Sequence, residues 1–216
     1  MKNVLTTTAA ALALAGAVAL AQQAAAPAPM PASPRGTAAT QVSGQWATAK
    51  PGDTPRYRDG KWIVVDYGRP ILRGRTDIFG EGAEYGKKVN DGSPVWRAGA
   101  NQTTRFRTEA PLVFAGKTLP AGEYSLFVDL KPGAWTLVFS SQPHQTKYDP
   151  NNKTETWGST GYDPKFDVLR VPMQTTVGGT SWDQFTIAFI DMTQNSGTLA
   201  MAWEKTVAKV AFTVGQ

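Results

Sequence analysis

No cysteine occurs among the 216 residues, and histidine occurs once, as His144. The first absence removes disulfides, thiolate metal sites, a cysteine nucleophile and a lipid-modified N-terminal cysteine. The second leaves no group of imidazoles for a catalytic zinc or copper centre. A Ser-His-Asp set would have to use His144, in the polar stretch SSQPHQTKYDPNN, and no Gly-x-Ser-x-Gly elbow exists. No Gly-rich phosphate loop or dinucleotide fingerprint follows a strand and opens a helix. Asp149, Asp163 and Asp167 lie among Asn and Gly residues without EF-hand spacing, and the Asp-Pro pairs at 149–150 and 163–164 read as turns. No metal and no cofactor is therefore expected. There is also no internal repeat, no long amphipathic helix and no run of basic side chains.

The one long uncharged stretch is at the N-terminus, from Val4 to Ala21 behind the single charge of Lys2. Ala19-Leu20-Ala21 has the small-x-small form of a signal-peptidase site. Residues 1–21 are thus expected to be a cleaved signal peptide, which makes the protein exported, periplasmic or extracellular, with no transmembrane segment after cleavage. Residues 22–39 are Ala/Pro-rich and read as a disordered linker, leaving 40–216 as one domain. Export and the lack of a basic run argue against nucleic acid as a partner.

What is abundant is strand signal. Lys61–Tyr67 is a short apolar run ending in the turn signal Gly68-Arg69-Pro70. Glu123–Leu130 and Ala134–Ser140 flank Lys131-Pro132-Gly133, where Pro then Gly suits a type II turn. Asp167–Met173, Gln184–Asp191, Thr198–Glu204 and Val207–Val214 follow, most with period-two alternation. The five glycines from Gly74 to Gly92 mark the longest loop. Many short strands with Gly/Pro turns predict an all-β fold, a β-sandwich or jelly-roll-like domain.

Charge is concentrated in one region. Without Lys2 the chain carries 21 basic and 17 acidic side chains. Arg69 to Arg107 alone holds eight basic and four acidic residues, the same surplus of four. Within it, VWRAGANQTTRFRT alternates as a strand would. Period two puts Thr104, Phe106 and Thr108 inward, and Asn101, Thr103, Arg105 and Arg107 on one outward stripe. A solvated, charged strand face is the simpler account of that stripe. The sharper one is an anion-binding groove built from Arg69, Arg73, Arg75, Trp96, Arg97, Asn101 and Thr103. Ala98-Gly99-Ala100 allows close backbone approach, so Arg97 and Asn101 are expected to brace the turn. Trp157 and Tyr162, in TWGSTGYDP, are the candidates for stacking on a sugar, against the alternative that they anchor a loop.

Four stretches together resemble domain-of-unknown-function family 2911: DYGRPILRGRTDIFG, VWRAGANQTTRF, KTLPAGEYSLF and YDPKFDVLRV. SPRGTA and LAMAWEKTVAKVAF match it as well. The family is found mainly in exported bacterial proteins. The resemblance implies one exported, mostly β domain, and it carries over no catalytic residue.

Two function classes remain. The first is a non-catalytic binding or structural module of the cell envelope, with an anionic or carbohydrate ligand. The second is a hydrolase on a sugar-like or anionic substrate, which needs two convergent carboxylates. Glu109, Glu123, Asp129 and Glu204 lie on or beside predicted strands, where each is more simply an outward or edge residue.

Overall fold

A computed structural model describes residues 29–215. The expected signal peptide and the first part of the linker fall outside the described residues. The strands are β1 (Arg35–Val42), β2 (Gln45–Ala47), β3 (Arg56–Arg58), β4 (Lys61–Gly68), β5 (Thr104–Thr108) and β6 (Leu112–Phe114). They continue with β7 (Lys117–Leu119), β8 (Gly122–Asp129), β9 (Thr136–Ser140), β10 (Asp167–Pro172), β11 (Gln174–Ile190) and β12 (Ser196–Val214). One sheet runs β1-β4-β5-β8-β9-β10, a second β11-β12-β6-β7, and β2-β3 form a small hairpin. The fold is all-β.

Alternation explains how the two larger sheets meet. Ile63 and Val65 of β4, Phe106 of β5, Leu126 and Val128 of β8 and Leu137 and Phe139 of β9 point to one side. Leu112 and Phe114 of β6, Phe185 and Ile187 of β11 and Leu199, Met201 and Val210 of β12 join them in one apolar core. The β8–β9 hairpin turns as its sequence requires: Gly133 has φ 68° and the Ala134 amide donates to the Lys131 carbonyl at 3.0 Å.

Two expectations are corrected. The segment 22–39 is not linker throughout, because β1 starts at Arg35 and pairs residue for residue with β4, Arg35 opposite Gly68 and Val42 opposite Lys61. An Ala/Pro-rich composition sets no end-point, and strand pairing claims the last residues of the stretch. The two strands expected at Thr198–Glu204 and Val207–Val214 are one strand, β12. It stays continuous through an irregularity at Glu204, which holds φ 51°. That kink aims the Glu204 carboxylate at the amides of Asp77 (2.6 Å) and Ile78 (3.1 Å), tying the glycine-rich loop to the sheet.

On β8 and β9 alternation gives way, because both faces are buried. The chain from Gln142 to Phe166 folds back over the outer face of the six-stranded sheet. Beneath it Val95, Phe127 and Val138 form a second, small core with Tyr162 packed against it. The uncovered part of the outer face lies on β1, β4 and β5. Among the described residues no helix is long and apolar enough to cross a membrane.

Candidate functional site

The turn between Val95 and Thr104 sets the geometry. Trp96 exchanges backbone hydrogen bonds with Val128, both 2.8 Å, and is buried with its ring stacked on Trp203. Its indole N–H donates to the Gly99 carbonyl at 3.2 Å. Ala98 and Asn101 then take positive φ, 46° and 64°, which breaks the extended conformation before β5 begins. The outward stripe therefore does not reach back past Thr104. Thr103 is buried, not outward: its hydroxyl donates to the Gly158 carbonyl at 2.8 Å and lies 3.1 Å from Thr156 Oγ1. Period-two counting fails where the left-handed residues reverse the chain. The outward residues of β5 are Arg105 and Arg107.

Arg97 acts within this turn. It donates to the Asn101 carbonyl (3.2 Å) and to Asp91 Oδ2 (3.3 Å), with its side chain 17% exposed. The Asn101 side chain reaches the Ser33 carbonyl at 3.5 Å. Arg69 lays its stem against Gly36, where a Cβ would collide with it. Arg73 holds φ 51° and its amide meets Asp183 Oδ1 at 3.3 Å. Arg75 folds back on its own turn and donates to the carbonyls of Ile71 and Leu72. The anticipated groove is thus divided in two. Arg75, Trp96 and Arg97 line one cavity of about 630 Å³ with Lys88, Asp77 and Trp203. Asn101, Thr103 and Trp157 line another, of about 740 Å³, and Ala100 borders both. Arg69 and Arg73 line neither.

The larger cleft has a built electrostatic character. Its floor is the uncovered sheet face, where Thr37, Asp66 and Arg105 are cross-strand neighbours on β1, β4 and β5. Its far wall is the folded-back segment, with His144, Gln145 and Trp157. The wall is secured by backbone bonds from Gln145 to Thr156 and from Thr156 to Pro143, both 2.9 Å. Gln102 spans the two sides, accepting from the Arg35 guanidinium and donating to the Thr146 carbonyl at 3.2 Å. Asp66 accepts from the Thr37 hydroxyl at 2.6 Å. Arg105 meets Glu123 Oε2 at 3.0 Å through one nitrogen, which leaves guanidinium donors for another acceptor.

Burial pushes the His144 pKa below its ordinary 6.5, the Arg105 charge pushes it the same way, and Glu123 and Glu155 oppose. At neutral pH the ring is uncharged and can both donate and accept. Trp157 packs beside exposed Tyr148, ring centres 5.6 Å apart. Tyr162 lies apart from this cleft. Its ring packs edge-on against Phe127, and its hydroxyl donates to Asp167 Oδ2 at 2.7 Å and accepts from Arg170 at 3.2 Å. Burial and the Asp167 carboxylate raise the Tyr162 pKa well above its ordinary value. It pins the covering segment to β10.

The acidic side chains on or beside the strands are dispersed. Glu109 accepts from the Trp62 amide, Glu123 from Arg105, Asp129 from Arg170, and Glu204 from the glycine-rich loop. Among the described residues Asp66 is the one carboxylate lining the larger cleft. Arg35, Asp66 and Gln102 were not singled out by the sequence, although alternation along Lys61–Tyr67 already turns Asp66 outward. That the chain folds back from Gln142 to make the far wall has no local signal.

The model of a family described as Protein of unknown function (DUF2911) matches residues 51–212, most of the chain, and the chain belongs to that family. No curated protein and no solved structure matches it.

Proposed function

We propose that this family member is an exported, non-catalytic binding module of the cell envelope whose larger cleft takes an anionic, sugar-sized ligand. The observation that carries the reading is the cleft's donor set: the guanidiniums of Arg35 and Arg105, the neutral His144 ring, the Gln102 and Asn101 amides and the Trp157 indole. The lining holds two guanidiniums and one carboxylate, and Glu123 occupies one Arg105 nitrogen, so the preference for an anion rests on the guanidinium donors left free and not on net charge. A guanidinium fork fits a carboxylate in two parallel hydrogen bonds. The planar amides suit hydroxyls, and the indole offers a ring face for sugar C–H groups. A volume of about 740 Å³ is in the range of small-molecule sites.

Binding is favoured over hydrolysis by the same lining. A glycosidase needs two carboxylates flanking one bond, and Asp66 has no acidic neighbour in the cleft. Export rests on the N-terminal pattern. Mass spectrometry of the secreted protein is expected to find Gln22 first, and an intact Met1 would contradict it.

Titration calorimetry of residues 22–216 with sodium glucuronate tests the binding role. Saturable binding is expected, weakening with added salt as charged contacts are screened. Arg105→Ala should weaken it at least tenfold, about 1.4 kcal/mol or more, while Arg107→Ala changes it little. No saturable heat, or equal affinity in Arg105→Ala, would remove the proposal.

A further inference from the structure

The outward face of β1 continues beyond the cleft. Arg35, Thr37, Ala39 and Gln41 alternate with Ala38 and Val42, which are buried. Arg35 and Thr37 line the cleft, whereas Gln41 lines a different cavity of about 600 Å³ at the other end of the strand. Gln41 lies four positions along the strand from Thr37 and six from Arg35, so roughly 13–20 Å separates the two cavities along β1. Between them the floor is low: Ala39 pairs with Val64. Beside Gln41, Trp62 faces outward and is 43% exposed.

The second cavity differs chemically from the first. Trp46, 70% exposed, stands edge-on to Tyr57 with ring centres 5.6 Å apart. The Tyr57 ring is fixed, because its hydroxyl accepts from the Gly44 amide at 2.9 Å. Gln194 is fixed too, its side-chain amide donating to the Gly44 carbonyl at 2.9 Å while its backbone carbonyl accepts from the Ser43 amide at 2.7 Å. Gln41 and Gln45 add two more amides, and among the described residues no Asp, Glu, Lys, Arg or His lines the cavity. An anion finds no counter-charge there. A neutral pyranose finds aromatic surface for its C–H groups and amides for its hydroxyl or acetamido groups.

We propose, resting on the binding role argued above, that the ligand is a linear glycan lying along β1, with an acidic sugar in the Arg35–Arg105 cleft and a neutral sugar on the Trp46–Tyr57 shelf. The span matches several linked rings and exceeds one. Two subsites on one chain raise affinity because the second contact is made at high effective concentration.

Hyaluronan hexasaccharide, which alternates glucuronate with N-acetylglucosamine, is the probe, and glucuronate alone is its control. By calorimetry the hexasaccharide is expected to bind at least tenfold more tightly than glucuronate. Trp46→Ala should abolish that gain, leave glucuronate affinity unchanged, and leave the melting midpoint of this exposed hairpin residue unchanged. Arg105→Ala should weaken both ligands. If the hexasaccharide binds no more tightly than glucuronate, or Trp46→Ala leaves its affinity intact, the glycan track is overturned. In that case Arg105-dependent glucuronate binding would keep the cleft reading standing. Absence of binding by either ligand would overturn both.

Discussion

Arg97 and Asn101 brace one turn by different means, and their variants should separate the two causes. Arg97 is mostly buried, and its contact with the Asn101 carbonyl lies inside the turn. Its partner Asp91 is largely exposed, so the ion pair adds little. Arg97→Ala should cost about 1–2 kcal/mol, mainly through the unsatisfied carbonyl and lost packing. Asn101 matters through its left-handed backbone, φ 64°, which Asn tolerates better than Ala. Asn101→Ala should cost about 1 kcal/mol, whereas Asn101→Gly and Arg107→Ala stay within about 0.5 kcal/mol. Thermal melts decide it, and a neutral Arg97→Ala would remove the bracing role. His144 gives a pH signature. Its folded pKa lies below 6.5, so as pH falls the unfolded chain takes the proton first and stability drops. The wild-type melting midpoint should therefore fall relative to His144→Gln between about pH 7 and 5. A constant difference would mean that the ring is not desolvated as described.

At the scale of elements, the β8–β9 hairpin was legible because Pro132 and Gly133 impose a turn by local chemistry alone. A Cβ at Gly133 would meet no atom within 4 Å, so any penalty for a side chain there is conformational. Gly133→Val should destabilise by about 1–2 kcal/mol and Gly133→Asn by less. Equal melts for both variants and the wild type would show that the turn is not of this type. The inward faces of β4 and β5 are legible for a related reason, since alternation reports burial directly, whereas β8 and β9 are buried on both faces and alternation there marks one face only. Alternation places Thr103 on the wrong face because it does not hold through Asn101, where φ 64° takes the backbone out of the strand conformation. The continuity of β12 was hidden because a kink at Glu204 reads, in sequence, like a break.

At the scale of the whole molecule, the all-β class and the family followed from composition and motif order. The site did not, because it is assembled from non-local pieces. Arg35 comes from a stretch that reads as linker, Asp66 from β4, Arg105 from β5 and His144 from the wall beyond β9. Arg75 and Arg97 turn to carbonyls, to Asp91 and to the cavity of about 630 Å³, and Arg69 and Arg73 line neither that cavity nor the larger cleft. Sequence proximity located the positive charge without locating the cleft. The two cavities make opposite demands on one measurement, amide and indole NMR shifts of residues 22–216 titrated with glucuronate. Binding as argued here predicts saturable shifts at Thr37, Asp66, Gln102, Arg105 and the Trp157 indole, with Arg75, Asp77 and Lys88 unmoved. Shifts confined to Arg75, Asp77 and Lys88, or no saturable shifts at all, would contradict it.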